Sequence, residues 1–351
     1  MKLRRRGTKL AAVVATLLMA AGLSACAGSS EAKVDKDGKA IIRYNAGGAS
    51  IIPVELADAL GYFENITIED VGLSQGGPAM IQGVATGTVD VGAPFNSSII
   101  ASRAAGVPVK AVIGYLGTNE LQRNGFYVLE DSGIKEPKDL LGKKVGLNTL
   151  GAAQEAFLDS YLLENGVSGD DLSKVTRVTL PTANFELGLR TGQVDAVPLW
   201  SGALVVAQKE GGIRELFNPY DQFGAFTQAC LVMSEKFIEA NPEVVKDFTQ
   251  GVAKAIAFTQ SHPKEEVIEV YSEWLKEHGR DEEVALAQGW VTTGVANAGG
   301  AISDSEFTRW IDWMVAKGEI EEGAVTPAEM YTNEFNPYGE NIVPAEEATV
   351  E

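Results

Sequence analysis

The chain has 351 residues, of which 45% are hydrophobic and 22% are charged. This length and apolar content allow a sizeable core and favour two domains. Because 48 acidic side chains outnumber 29 basic ones, the formal net charge is −19, which argues against nucleic acid or an anionic membrane surface as a partner but leaves room for a small anionic ligand.

The first 25 residues have the pattern of an export signal. Five basic residues precede the apolar run LAAVVATLLMAAGL, which is shorter than the ~20 residues of a membrane span. The run leads into LSAC at 23–26, which resembles the lipobox of bacterial lipoproteins. That resemblance implies cleavage before Cys26 and acylation of its sulfur, with palmitate among the expected acyl chains. An ordinary secretory signal with a chance cysteine is the alternative.

We therefore predict a lipoprotein signal peptide at 1–25, a flexible polar tether at 26–39 and a lipid anchor on the extracytoplasmic face of the cell membrane. If Cys26 carries lipid, Cys230 has no cysteine with which to pair. Cys230 lies in the apolar, strand-like run FTQACLVMS, which predicts a buried free thiol.

Short apolar strands alternate with helices from residue 40 onward. The predicted strands contain AIIRYNAG, ITIEDVGL, VDVGAP and VPVKAVIGYLG, and the predicted helices contain VELADALGYFE, AMIQGVATG and NSSIIASRAAG. This alternation is typical of βαβ units and predicts a mainly parallel sheet flanked by helices.

One phrase occurs twice, as TGTVDVGAP at 86–94 and as TGQVDAVPLW at 191–200. In both copies the following helix ends at a glycine twenty residues after the threonine, Gly106 or Gly211. The repetition predicts two similar lobes whose strands lead to a shared cleft, although any α/β fold repeats a helix, a glycine and a strand.

The chain becomes helical from about residue 235. Val245, Phe248, Val252 and Ile256 have helical spacing after Asn241 and Pro242. Three tryptophans in the later helices, Trp274, Trp310 and Trp313, are predicted to pack in the core. Residues 337–351 are predicted to form an acidic tail.

Several segments together resemble the substrate-binding proteins of ABC importers for nitrate, taurine and aliphatic sulfonates. They are LADALGYFE, GGPAMIQGVATGTVDVG, RAAGVPVKAV, EDSGIKEPKDLLGKKVGL and GQVDAVPLW. The resemblance covers roughly residues 41–315 and implies an α/β, two-lobed type II periplasmic-binding fold with a cleft between the lobes. Lobe 1 would comprise 40–125 and 227–336, lobe 2 would comprise 126–226, and strands near 124–129 and 228–233 would form the hinge.

Ligands of open α/β sheets bind beyond the carboxyl ends of the strands, where helices begin. Helix N-termini hold oxyanions through unpaired amides and the helix dipole. On this basis we predict the ligand-binding residues to be Gly48, Ala49, Ser50, Gly76, Gly77, Phe95, Asn96, Ser97, Asn148, Thr149, Leu150, Gly151 and Trp200. Asn96, Ser97 and Thr149 could instead only cap helices, and Phe95 and Trp200 could instead be core residues.

No motif of a hydrolase, a P-loop, a zinc protease or a dinucleotide-binding enzyme is present. The two histidines, His262 and His278, lie in polar surroundings, so we predict no catalytic residue, metal or cofactor. The resemblance implies a monomeric receptor that delivers a sulfonate-like solute to an ABC permease. The alternatives are a receptor for a vitamin precursor such as a thiamine pyrimidine, a thiamine-pyrimidine synthase-like enzyme and a structural lipoprotein.

Overall fold

The computed structural model describes residues 31–46, 50–72, 76–122 and 124–347. The predicted signal peptide, Cys26, Gly48 and Ala49 lie outside the described residues. Within them, no helix combines the length and the apolar character needed to cross a membrane.

The described residues contain eleven strands. They are β1 (Lys33–Val34), β2 (Ala40–Asn45), β3 (Ile66–Asp70), β4 (Val91–Gly92), β5 (Val109–Thr118), β6 (Gly125–Leu129), β7 (Lys144–Leu147), β8 (Thr176–Thr179), β9 (Val197–Leu199), β10 (Ile213–Phe217) and β11 (Phe226–Ser234). Six of them form a large sheet in the order β1-β2-β4-β11-β5, with β3 also paired to β2.

The remaining strands build two smaller sheets, β10-β6-β9 and β7-β8. A parallel bridge between Val145 and Ala196 connects them. The large sheet therefore takes its strands from residues before 119 and after 225, and the smaller sheets take theirs from the residues between.

The sheets are mixed, whereas the sequence predicted mainly parallel ones. The predicted hinge strands account for most of the difference, because β11 runs antiparallel to β4 and β5, and β6 runs antiparallel to β9 and β10. The short strand β1 is also antiparallel to its neighbour β2. A helical crossover fixes the parallel direction only for strands that it connects. β6 and β11 each follow a strand of the other sheet region, so the βαβ rule does not set their direction.

Within the described part of the chain, thirteen α-helices flank these sheets. They are α1 (Pro53–Ala59), α2 (Gly77–Thr86), α3 (Asn96–Ala104), α4 (Ala153–Glu164), α5 (Phe185–Arg190), α6 (Ser201–Glu210), α7 (Pro219–Phe223), α8 (Glu235–Ala240), α9 (Pro242–Ser261), α10 (Lys264–Glu277), α11 (Val284–Ala287), α12 (Ser305–Ala316) and α13 (Pro327–Met330). The predicted apolar face of α9 is buried, and so are Trp274, Trp310 and Trp313.

The repeated phrase has the same structure in both copies. Asp90 Oδ2 accepts a hydrogen bond from the Arg43 amide at 2.9 Å, and Asp195 Oδ2 accepts one from the Lys144 amide at 2.8 Å. In each copy the aspartate's own amide donates back to the carbonyl of that partner, at 2.8 and 2.7 Å. The aspartate thus ties the start of its strand to a neighbouring strand in both sheet regions.

The apolar core is continuous between the two sheet regions. Phe157 of α4 packs edge-on against Trp310 of α12, with ring centroids 5.2 Å apart. Both rings belong to a cluster that also contains Ile99 of α3 and Val145 of β7. Cys230 is a buried free thiol in the same cluster, as predicted, and burial raises its pKa.

Candidate ligand-binding site

A cavity of about 400 Å³ lies between the two sheet regions. Residues from both repeats form its wall, including Pro94 and Phe95 on one side and Pro198 and Trp200 on the other. Residues of the two predicted hinge strands, Gly125, Phe126, Gln228 and Ala229, also line it. The cavity is therefore at the position where the repeat predicted a shared cleft. We call it the central cavity.

Four helices of nine residues or more begin at the wall of the central cavity. They are α2, α3, α4 and α6, and residues at their starts that line the cavity are Gly76, Gly77, Phe95, Ala152, Ala153 and Trp200. The amides of a first helical turn have no partner within the helix and form the positive end of its dipole. Four such ends at the wall of one cavity favour a negatively charged ligand.

A buried glutamine supplies a further donor. Gln154, in the first turn of α4, lines the central cavity and is 2% exposed. Its Oε1 accepts a hydrogen bond from the Asn148 amide at 2.8 Å, which fixes the side chain, while its Nε2 has no hydrogen-bond partner. A buried donor without a partner is costly unless a ligand satisfies it. Sequence reasoning missed this residue, because the only local signal was a polar side chain after a turn.

None of the described residues that line the central cavity is acidic or basic. The polar side chains are uncharged, among them Ser98, Asn124, Asn148, Thr149 and Gln228. An anion bound here would therefore be held by amide and hydroxyl dipoles, as the sequence led us to expect.

Six of the predicted site residues line the central cavity: Gly76, Gly77, Phe95, Asn148, Thr149 and Trp200. Ser50 lines a neighbouring cavity of about 300 Å³, which shares Leu116 and Asn124 with the central one. Gly48 and Ala49 lie outside the described residues.

Asn96 and Ser97 are buried at the start of α3 and are not among the residues that line the central cavity, although Phe95 and Ser98 on either side of them are. Asn96 Nδ2 donates to the carbonyl oxygens of Thr227, at 2.9 Å, and of Glu306, at 3.0 Å. Ser97 Oγ has no hydrogen-bond partner. Neither residue caps α3, whose N-cap is Phe95 and has no side-chain hydrogen bond. Asn96 instead ties α3 to β11 and α12.

Leu150 and Gly151 also lie outside the lining, and Leu150 is 53% exposed. Gly151 was predicted to bind the ligand, but its amide donates a hydrogen bond to Glu155 Oε2 at 2.7 Å. Glu155 Oε1 lies 2.7 Å from Lys317 Nζ, at the end of α12. Burial acts to raise the pKa of Glu155, but the hydrogen bonds from Lys317 and Gly151 outweigh it, so the pKa is lowered.

The neighbouring cavity contains one carboxylate, Glu215. Its oxygens accept hydrogen bonds from Tyr127 Oη at 3.2 Å and from Asn218 Nδ2 at 2.7 Å. Elsewhere in the described residues, no cluster of three or more His, Cys, Asp and Glu side chains could hold a metal ion. His262 and His278 are exposed, as their polar surroundings predicted.

Some relatives of this chain are named as solute-binding proteins and others as enzymes. The putative aliphatic sulfonates-binding protein of Bacillus subtilis (strain 168) is 28% identical over 270 residues, which cover 75% of this chain and 77% of that protein. The 4-amino-5-hydroxymethyl-2-methylpyrimidine phosphate synthase of Candida albicans (strain WO-1) is 26% identical over 227 residues, covering 61% of this chain and 65% of that enzyme.

Solved structures give the fold. The periplasmic aliphatic sulphonate binding protein SsuA from Escherichia coli is 19% identical and matches with a TM-score of 0.64 over 84% of this chain and 98% of that one. The likeness confirms the predicted two-lobed periplasmic-binding fold. The family described as NMT1/THI5 like matches residues 49–266. With more than half of its residues matched, this chain belongs to the NMT1/THI5-like family.

Proposed function

We propose that this chain is the extracytoplasmic solute-binding component of an ABC importer. It captures a small organic anion, such as a sulfonate, between its lobes and delivers it to the permease subunits in the membrane. The names of its relatives support this role, since one is named as an aliphatic sulfonates-binding protein of Bacillus subtilis and another as the taurine-binding periplasmic protein of Escherichia coli.

The observation that carries the proposal is the combination of four helix N-termini and the unpartnered Gln154 amide around one uncharged cavity. Such a wall compensates a negative charge with fixed dipoles. It offers no carboxylate, histidine, lysine or arginine for acid–base chemistry among the described lining residues. We therefore favour binding over catalysis, although some relatives are named as enzymes.

Thermal unfolding of the full chain in detergent, with and without candidate solutes, tests the proposal. Ethanesulfonate, taurine, nitrate and a neutral aminopyrimidine form the panel. An anion present at 100 times its Kd should add about 2.7 kcal/mol to the free energy of unfolding. Stabilisation by the pyrimidine alone would favour the vitamin-precursor receptor, and stabilisation by none of the four would count against capture of short sulfonates, nitrate and pyrimidines.

The membrane attachment is a separate part of the proposal. It is supported by LSAC at 23–26 after the apolar run. The Cys26→Ser variant should appear in the medium or as an unprocessed precursor, and the Cys230→Ser variant, which keeps the lipobox, should stay with the membrane. A processed Cys26→Ser protein that remains membrane-bound would contradict lipid anchoring.

A further inference from the structure

The central cavity is larger than a compact anion needs. Its volume is about 400 Å³, whereas an apolar cavity of about 150 Å³ already binds benzene. Five aromatic rings contribute to the wall, those of Phe95, Tyr115, Phe126, Phe157 and Trp200. The helix N-termini can hold one charged group, and the rings then surround the rest of the solute.

Three of these rings are held in place by second rings. Phe126 stacks on Phe217 with centroids 4.5 Å apart, and Phe157 packs edge-on against Trp310 at 5.2 Å. Trp200 lies at 90° to Phe185, with centroids 6.3 Å apart. Rings supported in this way cannot easily move inward, so the wall keeps its shape for a ligand.

The absence of charge in the wall restricts the ligand further. Among the described lining residues, no carboxylate is available to pair with an ammonium group, and no lysine or arginine is available for a second negative charge. A buried charge without a partner is strongly unfavourable. The wall is therefore suited to a single negative charge, which the four helix ends and Gln154 would share.

We infer that the solute is an aromatic monoanion, such as an arylsulfonate, with its ring between the aromatic side chains and its charged group at the helix N-termini. This inference rests on the proposed function and adds the substrate class. It separates this chain from receptors of short aliphatic or zwitterionic sulfonates, for which the volume, the rings and the uncharged wall would be a poor match.

Calorimetric titration of the full chain with four probes tests the inference. Benzenesulfonate should bind at least ten-fold more tightly than ethanesulfonate or taurine, and at least ten-fold more tightly than the neutral benzenesulfonamide. If ethanesulfonate or taurine binds as tightly as benzenesulfonate, the aromatic class is wrong and the proposed function stands. If benzenesulfonamide binds as tightly as benzenesulfonate, the site does not require a negative charge and the inference of a monoanion is wrong. If none of the four probes binds, the proposed function fails as well.

Variants that lack one of the rings test whether the aromatic side chains of the wall cause the preference for benzenesulfonate over ethanesulfonate. Trp200 is only partly buried, so Trp200→Leu should fold, and it should reduce the affinity ratio of benzenesulfonate to ethanesulfonate several-fold. Phe258→Leu is the matched control, because that ring stacks on His262 at 3.9 Å, away from the residues that line the cavity. An unchanged ratio in both Trp200→Leu and Phe157→Leu would overturn the role of the rings.

Discussion

Gln154 shows how a single buried side chain can indicate a ligand-binding site. Its oxygen is fixed by the Asn148 amide, and its nitrogen is buried without a partner in the wall of the central cavity. A bound anion would complete its hydrogen bonds without any movement of the side chain.

We expect Gln154→Leu to weaken anion binding roughly 10- to 100-fold, since a hydrogen bond to a charged group contributes about 1.5–3 kcal/mol. Calorimetric titration measures the loss. Gln82→Leu, on the exposed side of α2, is the control and should bind normally. Equal affinities of the Gln154→Leu and wild-type proteins would remove this residue from the site.

Glu306 is a second buried polar residue, with a structural role. It is 4% exposed, its Oε2 accepts from the Thr227 amide at 2.6 Å, and Asn297 Nδ2 lies 3.4 Å from its Oε1. Burial raises its pKa to about 8, in spite of the Thr227 hydrogen bond and the nearby Arg309. The folded protein therefore holds this proton at pH values where the unfolded chain has released it.

That difference gives a pH dependence of stability. Between the ordinary glutamate pKa of about 4.3 and the folded value of about 8, the folded state binds more protons, so this group's contribution to stability falls as pH rises. Denaturant unfolding should show wild-type protein losing stability relative to Glu306→Gln from pH 5 to pH 9. Glu282→Gln, at an exposed position, should follow the wild type. Parallel pH profiles for Glu306→Gln and wild type would show that Glu306 is ionised throughout.

At the scale of elements, the close approach of α2 and α3 shapes one side of the central cavity. A Cβ atom on Gly77 would lie 2.3 Å from Ser98 Oγ and 2.8 Å from Ser98 Cβ. Both residues line the cavity, so this contact sets the spacing between two of the helix N-termini that face the ligand.

We expect Gly77→Ala to separate the starts of α2 and α3 and to weaken anion binding by about ten-fold or more, because helix-end interactions fall off within the first turn. Titration measures the affinity, and thermal unfolding shows whether the fold is retained. Gly133→Ala is the control, since a Cβ there meets nothing within 4 Å. Normal affinity in Gly77→Ala would show that this spacing does not matter for binding.

The elements that the sequence predicted correctly are those with local signals. Gly211, for example, ends α6 with a φ of +72°, as the repeated phrase predicted. Asn96 could not be interpreted in the same way, because its partners Thr227 and Glu306 lie 131 and 210 residues along the chain. Gly151 was likewise predicted to bind the ligand, but in the structure its amide donates a hydrogen bond to Glu155. Site roles that depend on distant partners leave no local pattern.

At the scale of the molecule, two lobes and two connecting strands predict a closing motion. A solute that contacts both walls of the central cavity favours the closed state by its differential affinity for the two states. X-ray scattering should show a smaller radius of gyration when the bound anion is present. The Gln154→Leu variant should need a higher anion concentration for the same change. Saturated protein with an unchanged scattering profile would contradict the clamp.

The uncharged wall of the central cavity has a consequence for life outside the cytoplasm. If the chain is exported as proposed, it meets whatever acidity its surroundings impose. Helix dipoles and amide groups do not titrate, so a permanently ionised solute would meet the same described lining residues in acidic and in mildly alkaline water. Uptake would then depend on the concentration of the solute and not on the pH of the surroundings.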